Sequence, residues 1–241
     1  MRRIRDILIS LLILIITSPV LLLTCVIVWK QDWHSPFYIS SRVGKNGKLF
    51  SMTKLRSMIF NADASGVDST SLSDGRITPV GHLIRKYKLD EITQMWNVLL
   101  GDMSLVGPRP NIKRETDLYS EEENKLLSVK PGVTDFSSII FSDEAEILSE
   151  KDDPDIAYNQ LIRQCKSRLC IIYIDNRNFF IDLRIIFITA ITIINKKKGI
   201  IMTVKILEQI GCSGRLLEVC RRDDELYPYT PPGLSEIVSR R

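Results

Sequence analysis

The segment from Ile7 to Trp29 constrains the fold most, because it holds 23 residues without a single charge. At about 1.5 Å of helical rise per residue, that is just enough to cross a hydrocarbon layer roughly 30 Å thick. No small-x-small cleavage site accompanies it, so a removable leader is not expected. Arg2, Arg3 and Arg5 precede it, and Lys30, Arg42, Lys45, Lys48, Lys54 and Arg56 follow it. Cationic flanks on both sides satisfy the positive-inside rule equally well with both ends in the cytoplasm. Thr17, Ser18 and Pro19 stand near its centre. Proline removes a helical hydrogen bond and crowds the preceding turn, so the helix bends or breaks there. The neighbouring hydroxyls can take up the backbone groups freed at the break. The stretch from Ile7 to Ser18 rises only about 18 Å, roughly half a bilayer. A helix that turns at Ser18-Pro19 and leaves on the side it entered fits these facts, and so does a tilted span with a kink. Asp6, at the water boundary, can anchor the segment by pairing with a nearby arginine or stand as a solvated charge.

The 241 residues suffice for one domain with a real core, or for one domain plus a tail, and a net charge of +4 does not mark a dedicated nucleic-acid binder. Five cysteines (25, 165, 170, 212 and 220) are scattered, with only two histidines to join them. Their spacing fits no zinc knuckle and suggests reduced thiols.

Chemistry concentrates between Arg85 and Pro110. Asp90-Glu91 opens an amphipathic helical stretch with Leu89, Ile92, Trp96 and Leu99 on one face. Arg85, Lys86 and Lys88 precede the pair, and Pro108-Arg109-Pro110 forms a turn after the helix. Paired carboxylates beside cations can hold a divalent metal and attack a phosphate, while an arginine grips phosphate oxygens. Acidic residues also suit a helix N-terminus through the macrodipole alone, so the residues by themselves leave both readings open.

Elsewhere, Phe37–Val43 and Leu49–Met52 are β-favouring runs joined by Gly44-Lys45-Asn46-Gly47, a strong hairpin signal. Lys54, Arg56 and Ser57 form a cationic exit that either faces an anion or is solvated. Residues 61–78, with Asp63, Asp68 and Asp74, read as a loop, a linker or a cover over a site. Asn111 to Val129 looks like a surface helix with an acidic run at Glu121-Glu122-Glu123, and Lys130–Thr134 turns into an extended segment from Asp135 to Phe141. Ser142–Asp155 is loop-like and Tyr158–Ile174 helical. The apolar run Phe179–Ile194, followed by Lys196-Lys197-Lys198, is short for a span and suits an interfacial helix whose lysines reach headgroups. Beyond about Glu208 the periodicity is lost.

In order, the chain carries Asp6; Ser18-Pro19; Arg42-x-Gly44-x-x-Gly47-x-x-Phe50; Lys54-x-Arg56-Ser57-Met58; and Asp74-x-Arg76-Ile77-Thr78. Then follow Leu89-Asp90-Glu91, Trp96-Asn97-Val98-Leu99, Gly101–Pro110 and Lys130-Pro131-Gly132-Val133-Thr134. This ordered set resembles the monotopic phosphoglycosyl transferases, or bacterial sugar transferases, over roughly Arg2 to Gly199, in their small single-domain form. The resemblance implies a mostly α fold with a small β-hairpin: a reentrant membrane helix (1–30), a cytoplasmic catalytic domain with interfacial helices (31–205) and a C-terminal tail (206–241). It implies an enzyme on the cytoplasmic face of the bacterial inner membrane that moves a sugar-1-phosphate from a UDP-sugar to undecaprenyl phosphate and releases UMP. It further implies Asp90 as nucleophile forming a covalent phosphosugar intermediate, Glu91 on Mg²⁺, and Arg85, Arg109, Lys54, Arg56, Pro108 and Pro110 about the substrate. No nucleic acid is expected, and glycosyltransferases are conceivable partners. The run Ser35–Ile39, Lys88 and the stretch 135–142, which lacks an arginine expected to hold substrate phosphates, depart from the family pattern. A non-catalytic scaffold and a phosphohydrolase using the same pair are the alternatives, and no motif names the sugar.

Overall fold

The computed structural model describes residues 2–65, 70, 74–149 and 151–237. One helix, α1 (Arg2–Asp32), carries the whole apolar segment and continues through Pro19. A proline in a helix lacks the N–H that would bond the carbonyl four residues back, here that of Ile15. The Ser18 hydroxyl supplies the missing donor, 2.8 Å from the Ile15 carbonyl oxygen. Thr17 donates in the same way to Ile13 and Thr24 to Val20, each at 2.7 Å.

Both arms of α1 lie on the rest of the protein. Ile9, Ile13 and Leu14 pack against the main core, while Cys25 and Val28 join Leu55, Val80, Ile84 and Leu89 in a smaller cluster. Between the arms Ile15, Ile16, Val20, Leu22 and Leu23 are exposed. At the N-terminal end Arg5 bonds Asp6 (2.7 Å) and Asp182 (2.8 Å), so Asp6 does pair with an arginine. Ser104 donates to the other Asp6 oxygen at 2.6 Å, and the Tyr173 hydroxyl donates to Asp182 at 2.7 Å.

The expected hairpin forms from β1 (Phe37–Val43) and β2 (Leu49–Leu55), antiparallel, with Arg42 opposite Phe50. Asn46 and Gly47 turn it with φ of 58° and 76°, the left-handed region that these residue types tolerate. Then come α2 (Pro79–Lys86), α3 (Leu89–Ile92), α4 (Met95–Leu100), β3 (Ser104–Val106), α5 (Lys113–Thr116) and β4 (Gly132–Thr134), which pairs parallel with β3. The remaining helices are α6 (Phe136–Ile140), α7 (Glu144–Ile147), α8 (Pro154–Ala157), a π-helical turn (Tyr158–Arg163), α9 (Gln164–Asn176), α10 (Phe179–Ile194), α11 (Lys196–Gln209) and α12 (Arg215–Arg221). The chain is therefore mostly helical with a small antiparallel hairpin, as expected. Phe136, Ile139, Ile140, Leu169, Ile185 and Leu207 fill the centre of the core.

Five expectations are corrected. Asn111 to Val129 is no continuous helix: it holds only α5 and a 3₁₀ stretch, Glu123–Ser128. Glu123 is buried rather than solvated, since it and Ser120 bond each other's backbone N–H groups as a capping box and Arg163 binds its carboxylate at 2.7 Å. Asp135–Phe141 is not extended: the Asp135 carboxylate accepts from Ser138 N at 2.6 Å and starts α6. Ser142–Asp155 is not purely a loop, since it contains α7 and the start of α8. Of the apolar face Leu89, Ile92, Trp96 and Leu99, only Leu89 packs against a core cluster, the smaller one. Met95 and Val98 enter the main core, while Trp96 stays 59% exposed.

The segment expected as a tail begins inside α11 and packs back on the body. Leu217 and Cys220 are buried, and Ser120 and Arg168 bond the carbonyls of Pro232 (2.6 Å) and Thr230 (3.0 Å). Much of the polar stretch 61–78, including Asp68, lies outside the described residues, as do residues 238–241.

Candidate functional site

Asp90 and Glu91 occupy the first turn of α3, a one-turn helix entered from Lys88 in the left-handed conformation, φ 55° and ψ 26°. No side chain caps this start, and a lysine held there stores backbone strain beside the acidic pair. The helix is fastened to β2 by polar side chains. Asn97 accepts from Thr53 N (3.0 Å) and donates to Ser51 O (2.7 Å), while the Thr93 hydroxyl lies 3.1 Å from the carbonyls of Thr53 and Asp90. Arg3 caps the far end of α4 by donating to the carbonyls of Val98 and Leu99.

The Pro-Arg-Pro turn reaches the site through a glycine contact. A Cβ on Gly132 would lie 2.0 Å from Gly107 N, so only two glycines let β3 and β4 approach so closely. Gly107 N then bonds Thr134 O at 3.0 Å and Pro108 O accepts from Gly132 N at 2.9 Å. Pro108 and Pro110 are buried, leaving Arg109 projecting between them to Glu91, 2.8 Å from its Oε1.

The electrostatics distinguish the two carboxylates. Burial raises the Asp90 pKa, and Glu91 adds to the rise, against Lys54, Lys88 and Arg85. Burial pushes Glu91 upward too, but Arg109, Lys88 and Lys54 outweigh it and hold the group at about 2. Burial, reinforced by Arg109, depresses the Lys54 ammonium to about 8, while Asp90 and Glu91 oppose the shift. Glu144 is bound by Lys166; burial would raise its pKa, yet Lys166 and Arg109 bring it below the usual range.

Asp90, Glu91, Lys54, Arg85 and Arg109 thus converge. Arg85 Nε donates to Ser57 Oγ at 3.0 Å from the same side. Arg56 does not join them: its guanidinium turns the other way, onto Asp32 at the end of α1. Asp74 and Arg76 close on each other at 2.6 Å. Ser18 and Pro19 lie midway along α1, Ser18 half-buried and Pro19 exposed, and are not among the groups that converge here. The stretch 135–142 is core and cap rather than site. Thr93, Asn97 and Glu144 carried no role in the sequence, where only Asn97 stood inside a matching motif; Ser57 stood with Lys54 and Arg56 in the cationic exit of the hairpin.

Asp90 Oδ1 is buried with no hydrogen-bond partner, an arrangement that asks for a ligand. Hard carboxylate oxygens beside an anion site suit Mg²⁺, which is typically held by one or two carboxylates together with substrate phosphates. Among the described residues no group of three or more metal-ligating side chains forms a closed cage.

Comparisons with known proteins identify the family. The sequence profile of the bacterial sugar transferases matches residues 1–196. An uncharacterized sugar transferase, EpsL, of Bacillus subtilis is 33% identical over 190 residues, 79% of this chain and 85% of that protein. The undecaprenyl-phosphate galactose phosphotransferase of Salmonella typhimurium is 39% identical over 152 residues, covering 56% of this chain and 31% of that longer protein. The UDP-glucose:undecaprenyl-phosphate glucose-1-phosphate transferase of Klebsiella pneumoniae is 35% identical over 193 residues, 78% of this chain and 39% of the relative. Residues 197–241 lie beyond the family match. With the profile spanning most of its length and its acidic pair set among basic side chains, the chain belongs to the bacterial sugar transferase family of enzymes.

Proposed function

We propose that the protein transfers a sugar-1-phosphate from a UDP-sugar to undecaprenyl phosphate, releasing UMP, by two displacements at Asp90. The observation that carries this reading is the buried, unpartnered Asp90 Oδ1 among Lys54, Lys88 and Arg85, beside a Glu91 held ionised by Arg109. The Asp90 carboxylate attacks the β-phosphorus of the donor, and the bond from that phosphorus to the bridging oxygen breaks. UMP leaves with the bond's electrons, and a phosphosugar ester of Asp90 remains. A phosphate oxygen of the lipid then attacks the same phosphorus and expels the Asp90 carboxylate. Splitting one transfer into two displacements is ordinary covalent catalysis.

Arg85, Lys54 and Arg109 bind and orient the donor's diphosphate, placing positive charge where negative charge develops. Their separate origins, α2, β2 and the Pro-Arg-Pro turn, hold this charge in place before substrate arrives. Glu91 and Asp90 would hold Mg²⁺, which when bound supplies charge neutralisation of the diphosphate.

We place α1 in the membrane as a reentrant hairpin, with the catalytic body on the cytoplasmic face of the inner membrane. Supporting this are its 31 residues, both arms resting on one body, and the exposed apolar apex at the proline. The exposed Trp96, Leu100, Phe180, Phe187 and Ile194 supply a further apolar surface, with the lysines after α10 beside it.

The test follows UMP release from a panel of UDP-sugars by nanodisc-held protein with Mg²⁺ and undecaprenyl phosphate, beside folded Asp90→Asn. Release that depends on the lipid and vanishes in the variant is the expected result. Release without lipid identifies a phosphohydrolase, and no release with any sugar or an active Asp90→Asn overturns the reading.

A further inference from the structure

Resting on the transferase reading above, we infer that Asp32 is a positioning residue: through Arg56 it sets the cationic side of the site, so α1 and the substrate-binding cations form one mechanical unit. The inference starts from where Arg56 points. The residue is only 7% exposed, and its guanidinium donates to Asp32 and to the carbonyls of Val28 and His34, at the end of α1 and in the chain just after it. Both oxygens of Asp32 receive it, one at 2.6 Å, and the carbonyls of Val28 and His34 lie at 3.4 Å. Its backbone N–H bonds Pro36 O at 2.8 Å. A two-point guanidinium–carboxylate pair fixes orientation as well as distance.

The residues beside Arg56 belong to the site. Two positions before it, Lys54 is the ammonium that shares an electrostatic field with Asp90, Glu91 and Arg109. One position after it, Ser57 accepts from Arg85 Nε at 3.0 Å. Ser57 O also takes Thr78 N at 3.1 Å and lies under Gly81, where an added Cβ would come within 1.8 Å of it. The start of α2, which carries Arg85, is thus seated directly on the backbone that Arg56 anchors. Leu55 and Ile84 complete the joint by packing with Val28 of α1. Strand end, α2 and membrane helix meet at a tight junction, and close packing transmits a displacement rather than absorbing it. Asp32 is the one carboxylate paired with Arg56 among the described residues. Loss of that charge releases the arginine and loosens Lys54 and Arg85 together.

A positioning role predicts a split that general destabilisation does not. Nanodisc-held natural chain, Asp32→Asn, Asp32→Glu and Arg56→Lys are compared for UDP affinity by titration calorimetry, for UMP release, and for the KM of undecaprenyl phosphate. Asp90→Asn runs in parallel, and all are taken from the folded, monodisperse fraction. In Asp32→Asn, UDP affinity drops and kcat/KM for the donor falls by about 10- to 100-fold, the scale expected when a binding group moves by about an ångström. The KM for the lipid holds. Asp32→Glu recovers most of the loss, and Arg56→Lys, which keeps the charge without the fork, falls between. Unchanged UDP affinity in Asp32→Asn overturns the inference, as does equal loss for donor and lipid. Should Asp32→Asn not fold, an Arg56→Lys protein that binds UDP like the natural chain overturns it instead. If no protein releases UMP while Asp32→Asn binds UDP more weakly, the transferase reading fails and the positioning stands. If Asp32→Asn equals an active natural chain and Asp90→Asn is silent, the positioning fails alone.

Discussion

Pro19 and Ser18 provide a stability test that isolates one hydrogen bond. Pro19 leaves Ile15 O without its helical donor, and the Ser18 hydroxyl occupies that carbonyl at 2.8 Å. Replacing Ser18 by alanine removes the donor at a point where Ile15, Ile16 and Val20 are exposed apolar neighbours. A net hydrogen bond contributes about 0.5–1.5 kcal/mol, and polar pairs measured inside membranes average about 0.6 with a maximum near 1.7. Ser18→Ala is therefore expected to destabilise the protein by about 1 kcal/mol, roughly a five-fold shift in the unfolding equilibrium. In a Pro19→Ala background the new backbone N–H reaches Ile15 O directly, so the hydroxyl becomes redundant and the same substitution costs close to nothing. Four proteins (natural, each single variant and the double) unfolded reversibly by SDS in mixed micelles and followed by helical circular dichroism complete the cycle. A coupling energy of about 1 kcal/mol is the expected result. An equal cost for Ser18→Ala in both backgrounds refutes the substitution of hydroxyl for amide.

Two further outcomes concern the cations beside Asp90. Lys54, with its pKa depressed by burial to about 8, is charged below that pH and neutral above it. Donor kcat/KM is therefore expected to fall by about ten-fold per pH unit above 8, and Lys54→Arg, which stays charged, to lose this limb; a limb unchanged in the variant removes Lys54 from diphosphate binding. The limb in kcat should lie higher, because bound diphosphate favours the charged ammonium. Lys88→Gly relieves the positive φ and is expected to stabilise the protein by about 1 kcal/mol while lowering activity, since its charge acts on both carboxylates. A thermal melt that moves downward counts against strain at Lys88.

How much was legible depended on how local the signal was. The hairpin was readable because Asn-Gly carries its own φ requirement, and α10 because its apolar run ends at Asn195 and three lysines. The site pair was readable as chemistry, and family resemblance ordered it. The short helices were not: α6 begins because Asp135 caps it, a preference overshadowed by the β-favouring Phe136–Phe141 run. Glu123 looked solvated in an acidic run, yet Ser120-x-x-Glu123 was a capping box in plain view. Arg56 was misplaced for a deeper reason. Its neighbours Lys54 and Ser57 serve the site, and nothing in the spacing says that the residue between them turns toward Asp32, 24 positions away. The network of buried Arg5, Asp6, Tyr173 and Asp182 with half-buried Ser104 joins parts of the chain that no periodicity connects.

The fastening of α3 and α4 to β2 has one more consequence. A two-stranded ribbon is marginal by itself, and its outer edge offers unpaired backbone groups to any passing strand. Here Ser51 O and both backbone groups of Thr53 on that edge are taken by Asn97 and Thr93. The α3–α4 segment that carries the acidic pair thus also covers this part of the β2 edge. A chain that frays at α4 would bare these backbone groups to another strand at the same moment as it loses the carboxylates' seat.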